Sequence, residues 1–391
     1  MTRIVEVASH NLSKRGEELC GDFVKVITTP DSLVVVLSDG LGSGVKANIM
    51  STLTAHVAAS MFQQGAAVED VMETLVQTLP ECQVRKLAYA TFSMLKIDRA
   101  RQAYLVEYDN PPLILVRGGE VVDLPVTETE VNGRKIKEAR FTLCQGDYMV
   151  MVSDGYIHAG VGGLYRFGWG WKNLSTAVRR LVQTGCDTHE LTRALSRTCL
   201  KLYGGEPGDD ATVVGMLVRS AVQATIWTGP PADPAQDDAA VQRLMSAEGT
   251  KVICGGTTAQ IAARVLGQEL KVEWVPPSKR QGGSAKRKRT PPTAKLQGVD
   301  LVTEGILTLA QTVERLEEVE TSHDLPHDDD AATRLARIIL TSDRIRLLVG
   351  TAINPNQVAD LIRGEPMRMV YVKQLIQQLE RLGKEYTLER I

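Results

Sequence analysis

Val34 to Leu37 form an unbroken apolar run that ends on Ser38-Asp39-Gly40. Such a run, bounded by turn residues, predicts a strand buried on both faces. Shorter β-like runs precede it at 3–7 and 23–28. After a glycine-rich corner, Val45, Ile49, Leu53, Val57 and Met61 recur at steps of four. They predict one apolar helical stripe, with Gly65 placed to end the helix. A second helix is expected from Val68, Val71, Met72, Leu75 and Leu79, with Pro80 as its stop. Strand-like runs follow at 89–98, 103–109 and 113–122, with the spacing of an antiparallel meander. The run 148–155 repeats the opening pattern, an apolar strand and then Ser-Asp-Gly. Helical stretches are expected near 171–183 and 188–202, and a strand at 208–218.

The pattern changes after about residue 220. Strands at 224–227, 251–254 and 270–275 alternate with helices near 236–247 and 257–266, which predicts a small parallel α/β unit, Rossmann-like in outline. Residues 276–298 are rich in Pro, Gly and Lys and read as a mobile insertion. A strand at 299–302, a long helix to about 319, an acidic loop, a strand at 344–350 and terminal helices complete the chain. The domains expected are therefore 1–219 and 220–391.

A length of 391 residues suits two domains, and 43% apolar with 24% charged residues fits a globular protein. The formal net charge of -2 gives no general attraction to nucleic acid or anionic membrane. Six dispersed cysteines lack any Cys-x-x-Cys pair, so reduced thiols and a cytoplasmic setting are expected. No signal-peptide pattern and no apolar run of membrane-spanning length occurs.

Four aspartates lie beside glycine at strand ends: Asp22, Asp39, Asp154 and Asp209. One Asp-Gly is ordinarily a turn, but two strand-Ser-Asp-Gly units and a Gly-Asp-Asp form a set. If these carboxylates converge, each pair about 4 Å apart repels by roughly 4 kcal/mol at an effective dielectric near 20. A hard, all-oxygen donor set without His or Cys favours Mg²⁺ or Mn²⁺.

In SDGLGSGVKA, SDG and GDDATVV, taken in this order and spacing, the chain resembles the metal-dependent (type 2C) protein phosphatases, and most of all their SpoIIE-like branch. The stretch TFSMLKID…YLVEYDNPPLILVRGGE resembles that branch too. The resemblance covers about residues 2–219. It implies two packed antiparallel sheets flanked by helices, and a protein serine/threonine phosphatase using two Mn²⁺ or Mg²⁺ ions. It implies that Asp39 bridges the ions and that the Gly40 carbonyl ligates one. Asp154 and Asp209 hold the other, Asp22 acts through water, and Asp210 supports the set. Gly42 and Gly44 turn the chain into the helix. Many eukaryotic relatives have a proton-donating His where this chain has Leu41. Lys14 and Arg15 are expected to be solvated surface residues. Helices between Val45 and Leu79 switch the metal site in such relatives, so a charge at Leu53 is expected to weaken both stability and metal affinity.

In the second domain, Gly255, Gly256, Thr257 and Thr258 form a strand-to-helix corner suited to phosphate or carboxylate, with Thr257 as a candidate cap. Thr303-Glu304-Gly305 is a weaker candidate for the same crevice. The basic cluster 286–289 reads as a solvated loop, and the acidic segment 323–330 as a loop without fixed ligand geometry. The partners expected are a phosphorylated bacterial regulatory protein, a small anionic ligand at the second domain, and a second copy of the chain. The competing reading is a catalytically silent scaffold whose C-terminal domain does the binding; retention of Asp39, Asp154 and Asp209 weighs against it.

Overall fold

Val34 and Val36 point one way from their strand, and Val35 and Leu37 the other; all four are fully buried. This period-two alternation lets one strand serve two cores at once. In the computed structural model the described residues are 3–29, 31–78, 90–131, 133–163, 165–273, 292–326, 329–352, 361–362 and 365–391. Contacts divide the chain into Met1–Ser220 and Ala221–Ile391.

The first unit contains β1 (Arg3–Leu12), β2 (Asp22–Thr28), β3 (Ser32–Gly40), α1 (Gly44–Gln63), α2 (Val68–Thr78), β4 (Ala90–Asp98) and β5 (Gln102–Tyr108). It continues with β6 (Ile114–Arg117), β7 (Glu120–Val122), β8 (Thr127–Val131), β9 (Arg134–Thr142) and β10 (Tyr148–Val152). Then come α3 (Asp154–His158), α4 (Trp171–Val182), α5 (Thr188–Leu202) and β11 (Ala211–Ser220). Two antiparallel sheets form, ordered β2-β3-β4-β5-β9-β8 and β1-β11-β10-β6-β7. Val35, Leu37, Leu95 and Leu105 pack against Leu115, Met149, Met151, Val214 and Met216 between them. On the outer side of the first sheet, Val34, Val36 and Met94 meet Ala55, Ala58, Phe62 and Met72 of α1 and α2. On the outer side of the second, Val150, Val152 and Val213 meet Leu174, Val178, Leu191 and Leu195. The unit is thus a four-layer sandwich, helix-sheet-sheet-helix.

Two expectations are corrected here. The run 113–122 is not the third strand of a meander. It splits at Gly118-Gly119 into the β6–β7 hairpin and joins the second sheet. Asp109, with φ 51°, and the two prolines after Asn110 turn the chain out of the first sheet. The Val45-Ile49-Leu53 stripe does not face the core. These residues are 58%, 49% and 46% exposed, whereas Ala47, Ser51, Thr54, Ala55, Ala58 and Ala59 are buried. Small side chains line the buried face up to Phe62 in the last turn, because α1 lies close on the sheet near the strand end and larger ones there would hold it off. Leu53 therefore has no core role, and the expectation attached to it falls.

The second unit contains β12 (Gln223–Thr228), α6 (Asp237–Met245), β13 (Thr250–Cys254), α7 (Gly256–Leu266), β14 (Lys271–Glu273) and β15 (Thr293–Leu296). It continues with β16 (Val299–Thr303), α8 (Ile306–Glu317), α9 (Ala331–Thr341), β17 (Arg344–Val349), β18 (Leu361–Ile362), β19 (Glu365–Pro366), α10 (Met367–Arg381) and β20 (Glu385–Arg390). Strands β16-β13-β12-β17-β20 run parallel in that order. Ile226, Val252 and Leu347 face Leu309, Leu335 and Leu375 on one side. Trp227, Ile253 and Leu348 face Val241, Ala259 and Ala262 on the other. Helices on both faces explain why these strands are apolar throughout.

The strand expected at 270–275 is an antiparallel edge strand, β14, paired with β15. Of the insertion expected at 276–298, residues 276–291, including the basic cluster, lie outside the described residues; 293–296 form β15. The acidic segment leads into α9, whose N-cap is Asp330, and the chain ends on a strand. Among the described residues no helix is long and apolar enough to cross a membrane.

Glu107 of β5 is buried and accepts the Leu113 N–H at 2.7 Å. Burial pushes its carboxyl up to about 7, against the opposing Leu113 bond and Lys137. The folded state holds this proton more tightly than the unfolded chain does. Stability is therefore fullest below the ordinary carboxylate range and declines as pH rises toward 7. Glu107→Gln should remove that decline, worth roughly 3 kcal/mol at most for a rise of this size. Melting of the two proteins between pH 5 and 8 tests this; parallel pH profiles would refute it.

Candidate active site

The register of β2 against β3 sets Asp22 directly opposite Asp39. On the other side Asp39 is opposite Thr91 of β4. In the second sheet β10 pairs with β11, so Asp154, just after β10, and Asp209 and Asp210, just before β11, share one sheet end. Ser153 joins the two sheets. Its hydroxyl donates to Asp22 Oδ2 at 2.7 Å and accepts the Thr212 N–H at 2.8 Å.

Three of these carboxyls, Asp22, Asp39 and Asp154, are lifted toward neutrality. Asp39 is raised first by burial, then by Asp22 and Asp154, and its carboxyl hydrogen-bonds that of Asp154. Asp22 is raised by burial and by Asp210 and Asp154, against its bonds from Ser153 and Thr212. Asp154 is raised by burial and by Asp209. Asp22 Oδ1 and Asp210 Oδ2 are buried with no hydrogen-bond partner. Among the described residues the carboxylates meet pairwise, and no three His, Cys, Asp or Glu side chains gather as a ready-made cation site. The donor chemistry nevertheless fits a hard divalent cation: all-oxygen ligands, mutual repulsion and two buried oxygens still to be satisfied.

Gly40 and Gly155 are required by close approach. A Cβ on Gly40 would lie 2.2 Å from the Ala47 carbonyl oxygen, and one on Gly155 would lie 2.1 Å from that of Asp210. Gly42 and Gly44 take positive φ, 104° and 69°, and turn the chain into α1. The Ser43 hydroxyl donates to Glu17 at 2.9 Å, and Asn48 Nδ2 donates to the Cys20 carbonyl at 2.8 Å, tying α1 to the segment before Asp22.

Several site residues escaped the sequence reading. Lys14, expected in solvent, sits at the site: its main-chain N–H donates to Asp210 at 2.9 Å and its Nζ lies 3.4 Å from Asp209. Arg15 is an exposed partner of Glu206. Asn110 accepts from the Thr91 hydroxyl at 2.7 Å, one residue across from Asp39. Ser153 carried a signal, the repeated Ser-Asp-Gly. Lys14 and Asn110 carried none, because only strand register brings them here.

In the second unit, Gly255 (φ 140°) is the N-cap of α7, and no side chain caps that helix, so Thr257 is not the cap. Gly256 and Thr257 are exposed in its first turn, and the buried Thr258 hydroxyl has no partner. A Cβ on Gly305 would lie 3.3 Å from the Gly255 Cα, so the 303–305 turn does adjoin this corner. Glu304 accepts the Leu307 N–H at 2.9 Å, capping α8. In the acidic segment Asp330 caps α9 and pairs with Arg315 at 2.9 Å; His327 and Asp328 lie outside the described residues.

Residues 29–219 match the family model for stage II sporulation protein E (SpoIIE). Similar solved structures include the phosphatase domain of SpoIIE from Bacillus subtilis, 18% identical, TM-score 0.42, covering 56% of this chain and 93% of that one. The SiaA PP2C domain of Pseudomonas aeruginosa is 19% identical, TM-score 0.42, covering 53% and 84%. RsbX in complex with magnesium is 22% identical, TM-score 0.40, covering 55% and 95%. Comparison with curated proteins returned no match.

The contact between Gly40 and α1 yields a test. Gly40→Ala must displace the Ala47 backbone, and overpacking of this kind costs about 1–3 kcal/mol or more. It should also weaken Mn²⁺ binding, because Asp39 moves with its neighbour. Gly42→Ala meets no atom within 4 Å and should cost only the backbone strain of its positive φ, about 1–2 kcal/mol. Melting and Mn²⁺ titration of both variants would show it. A Gly40→Ala protein with normal melting and Mn²⁺ affinity would mean that α1 does not constrain the site.

Proposed function

We propose that this chain, whose residues 29–219 match the SpoIIE family model, is a metal-dependent (type 2C) protein phosphatase that hydrolyses phosphoserine or phosphothreonine on a bacterial regulatory protein. The observation that carries the reading is the set of carboxyls, two buried and three half-buried, that strand register brings to the junction of the two sheets. Their mutual repulsion and unsatisfied oxygens favour two Mn²⁺ or Mg²⁺ ions, as the family's metal dependence implies. When bound, such ions neutralise phosphoryl charge and make a water nucleophilic near neutral pH.

In this reading Asp39, the Gly40 carbonyl, Asp154 and Asp209 would hold the ions. Asp22 acts through water, fixed in orientation by Ser153. Asp210, anchored by the Lys14 N–H, buttresses Asp209. Leu41 has no proton to give, so the serine or threonine leaving oxygen takes its proton from solvent. Residues 220–391 tune the activity and supply none of the chemistry, with the Gly255–Thr258 corner as part of a small-anion site. Ligand there acts only through unequal affinity for two states of the protein. The silent-scaffold alternative draws on the pairwise carboxylate arrangement and predicts no turnover with any cation.

EDTA should abolish release of phosphate from a phosphoserine peptide, and Mn²⁺ should restore it. Asp39→Asn should lower turnover by more than about a hundredfold, the upper range for losing a mere outer-sphere partner, while the protein stays folded. Wild-type turnover in folded Asp39→Asn protein would remove the site assignment. A chain ending at Ser220 should keep basal turnover. If it binds Mn²⁺ normally yet is inert, the second unit completes the active site and the tuning role is wrong.

A further inference from the structure

The parallel strands of the second unit stand in the order third, second, first, fourth, fifth. Chain direction across the sheet therefore reverses between β12 and β17, and connections leave those two strands toward opposite sides. In open α/β sheets the crevice outside the carboxyl ends at such a point is where ligands bind. Here the two strand exits cross in close contact. A Cβ on Gly350, just after β17, would lie 2.1 Å from the Gly229 carbonyl oxygen and 2.0 Å from that of Pro230. Thr228, the last residue of β12, keeps a buried hydroxyl with no partner.

Arg368 lies over this crossing. Its guanidinium occupies the space where a Gly229 side chain would begin, and its Nη1 donates to the Gly350 carbonyl at 3.3 Å. Among the described residues no carboxylate pairs with it, and burial lowers its pKa. Arg368 also stands in the first turn of α10, which contains no acidic residue. A cation there opposes the positive end of the helix dipole, an arrangement that an anion relieves. Beside it lies a cavity of about 260 Å³ bordered by Gly350, Thr351, Ala352, Arg368, Lys373 and Arg390. Among its described lining residues three are cationic and none is acidic.

The geometry points to a binding site for a small organic phosphate at this crossing, with the phosphoryl group on the Arg368 guanidinium and the first turn of α10. A planar guanidinium donates two parallel hydrogen bonds to phosphoryl oxygens, which suits it better than a point charge to this role. The cavity is of mononucleotide or sugar-phosphate size. The Gly255 turn extends the crevice: a Cβ there would lie 4.0 Å from the Gly229 nitrogen. This assignment deepens the proposal that the second unit takes a small anion, and gives that anion a residue outside the Gly255–Thr258 corner.

The test uses the full chain with EDTA present, so that phosphate binding at the carboxylate site does not contribute. AMP, ribose 5-phosphate, inorganic phosphate and adenosine are titrated calorimetrically. The phosphate-bearing probes should bind and adenosine should not; either ranking of AMP and ribose 5-phosphate supports the site and identifies its organic part. Arg368→Gln should weaken binding at least about tenfold, and Arg390→Gln, at the exposed rim, about threefold with salt dependence. If Arg368→Gln does not fold, Arg368→Lys and Lys373→Gln replace it, and each should weaken binding. Folded wild-type protein that binds no phosphate-bearing probe overturns the proposal, as does unchanged affinity in the folded Arg368 variants. Such a failure leaves the phosphatase reading intact, since that is read from Mn²⁺-dependent turnover.

Discussion

Like charges held together out of water are the constraint around which the first unit is built. Asp22 and Asp39 are opposed by strand register, and Asp154, Asp209 and Asp210 arrive from the second sheet at the same end. A fold gains nothing by crowding carboxylates, since burial and repulsion both oppose ionisation. The surrounding polar groups soften the cost only in part: Ser153 and Thr212 bond Asp22 and the Lys14 N–H bonds Asp210, yet one buried oxygen of each of these carboxyls remains without a donor. Unsatisfied atoms of this kind mark function, because packing alone would have removed them.

The same site explains why α1 is thin on its inner face. The helix comes so close to the strand end that a single methyl at Gly40 would strike the Ala47 carbonyl. Alanine, serine and threonine on the buried side make that approach possible. The larger Val45, Ile49 and Leu53 are consequently on the outside. Rigid contact between backbone and backbone leaves little room for the strand end to move without the helix, since packed interiors shift between discrete arrangements and do not deform continuously. Asn48, bonded to the carbonyl of Cys20, fastens the other side of the same helix turn.

In the second unit, glycine serves a different purpose. Gly229, Gly255, Gly305 and Gly350 each follow the carboxyl end of a parallel strand. Without side chains the four exits can lie against one another, and the Arg368 guanidinium can rest on backbone. The sheet edge is thereby left open to a ligand at the point where the connections diverge, and its charge is set by α10 and β20 and not by the glycine turns themselves.

Much of this was legible in the chain. The alternation of Val34 to Leu37, the helical stretches that form α4 and α5, and the βαβ rhythm after residue 220 all follow from side-chain periods that local backbone geometry imposes. The repeated Ser-Asp-Gly and the Gly-Asp-Asp stood out because a charged residue at the end of an apolar strand is locally anomalous. Other features had no local signal. An i, i+4 apolar series specifies a helix, but the face it buries depends on what lies beneath it, and α1 buries its small residues. The run 113–122 looked like one more strand, yet its sheet was chosen by the turn before it. Lys14 is 195 residues from Asp209 in sequence, and Arg368 is far along the chain from Gly229. Their encounters depend on strand register and sheet order, which are set by the sum of many packing contacts. The sequence by itself determined which segments become strands and helices and where carboxylates break an apolar pattern. Tertiary structure decided which charges meet, because proximity across a sheet has no counterpart in local spacing.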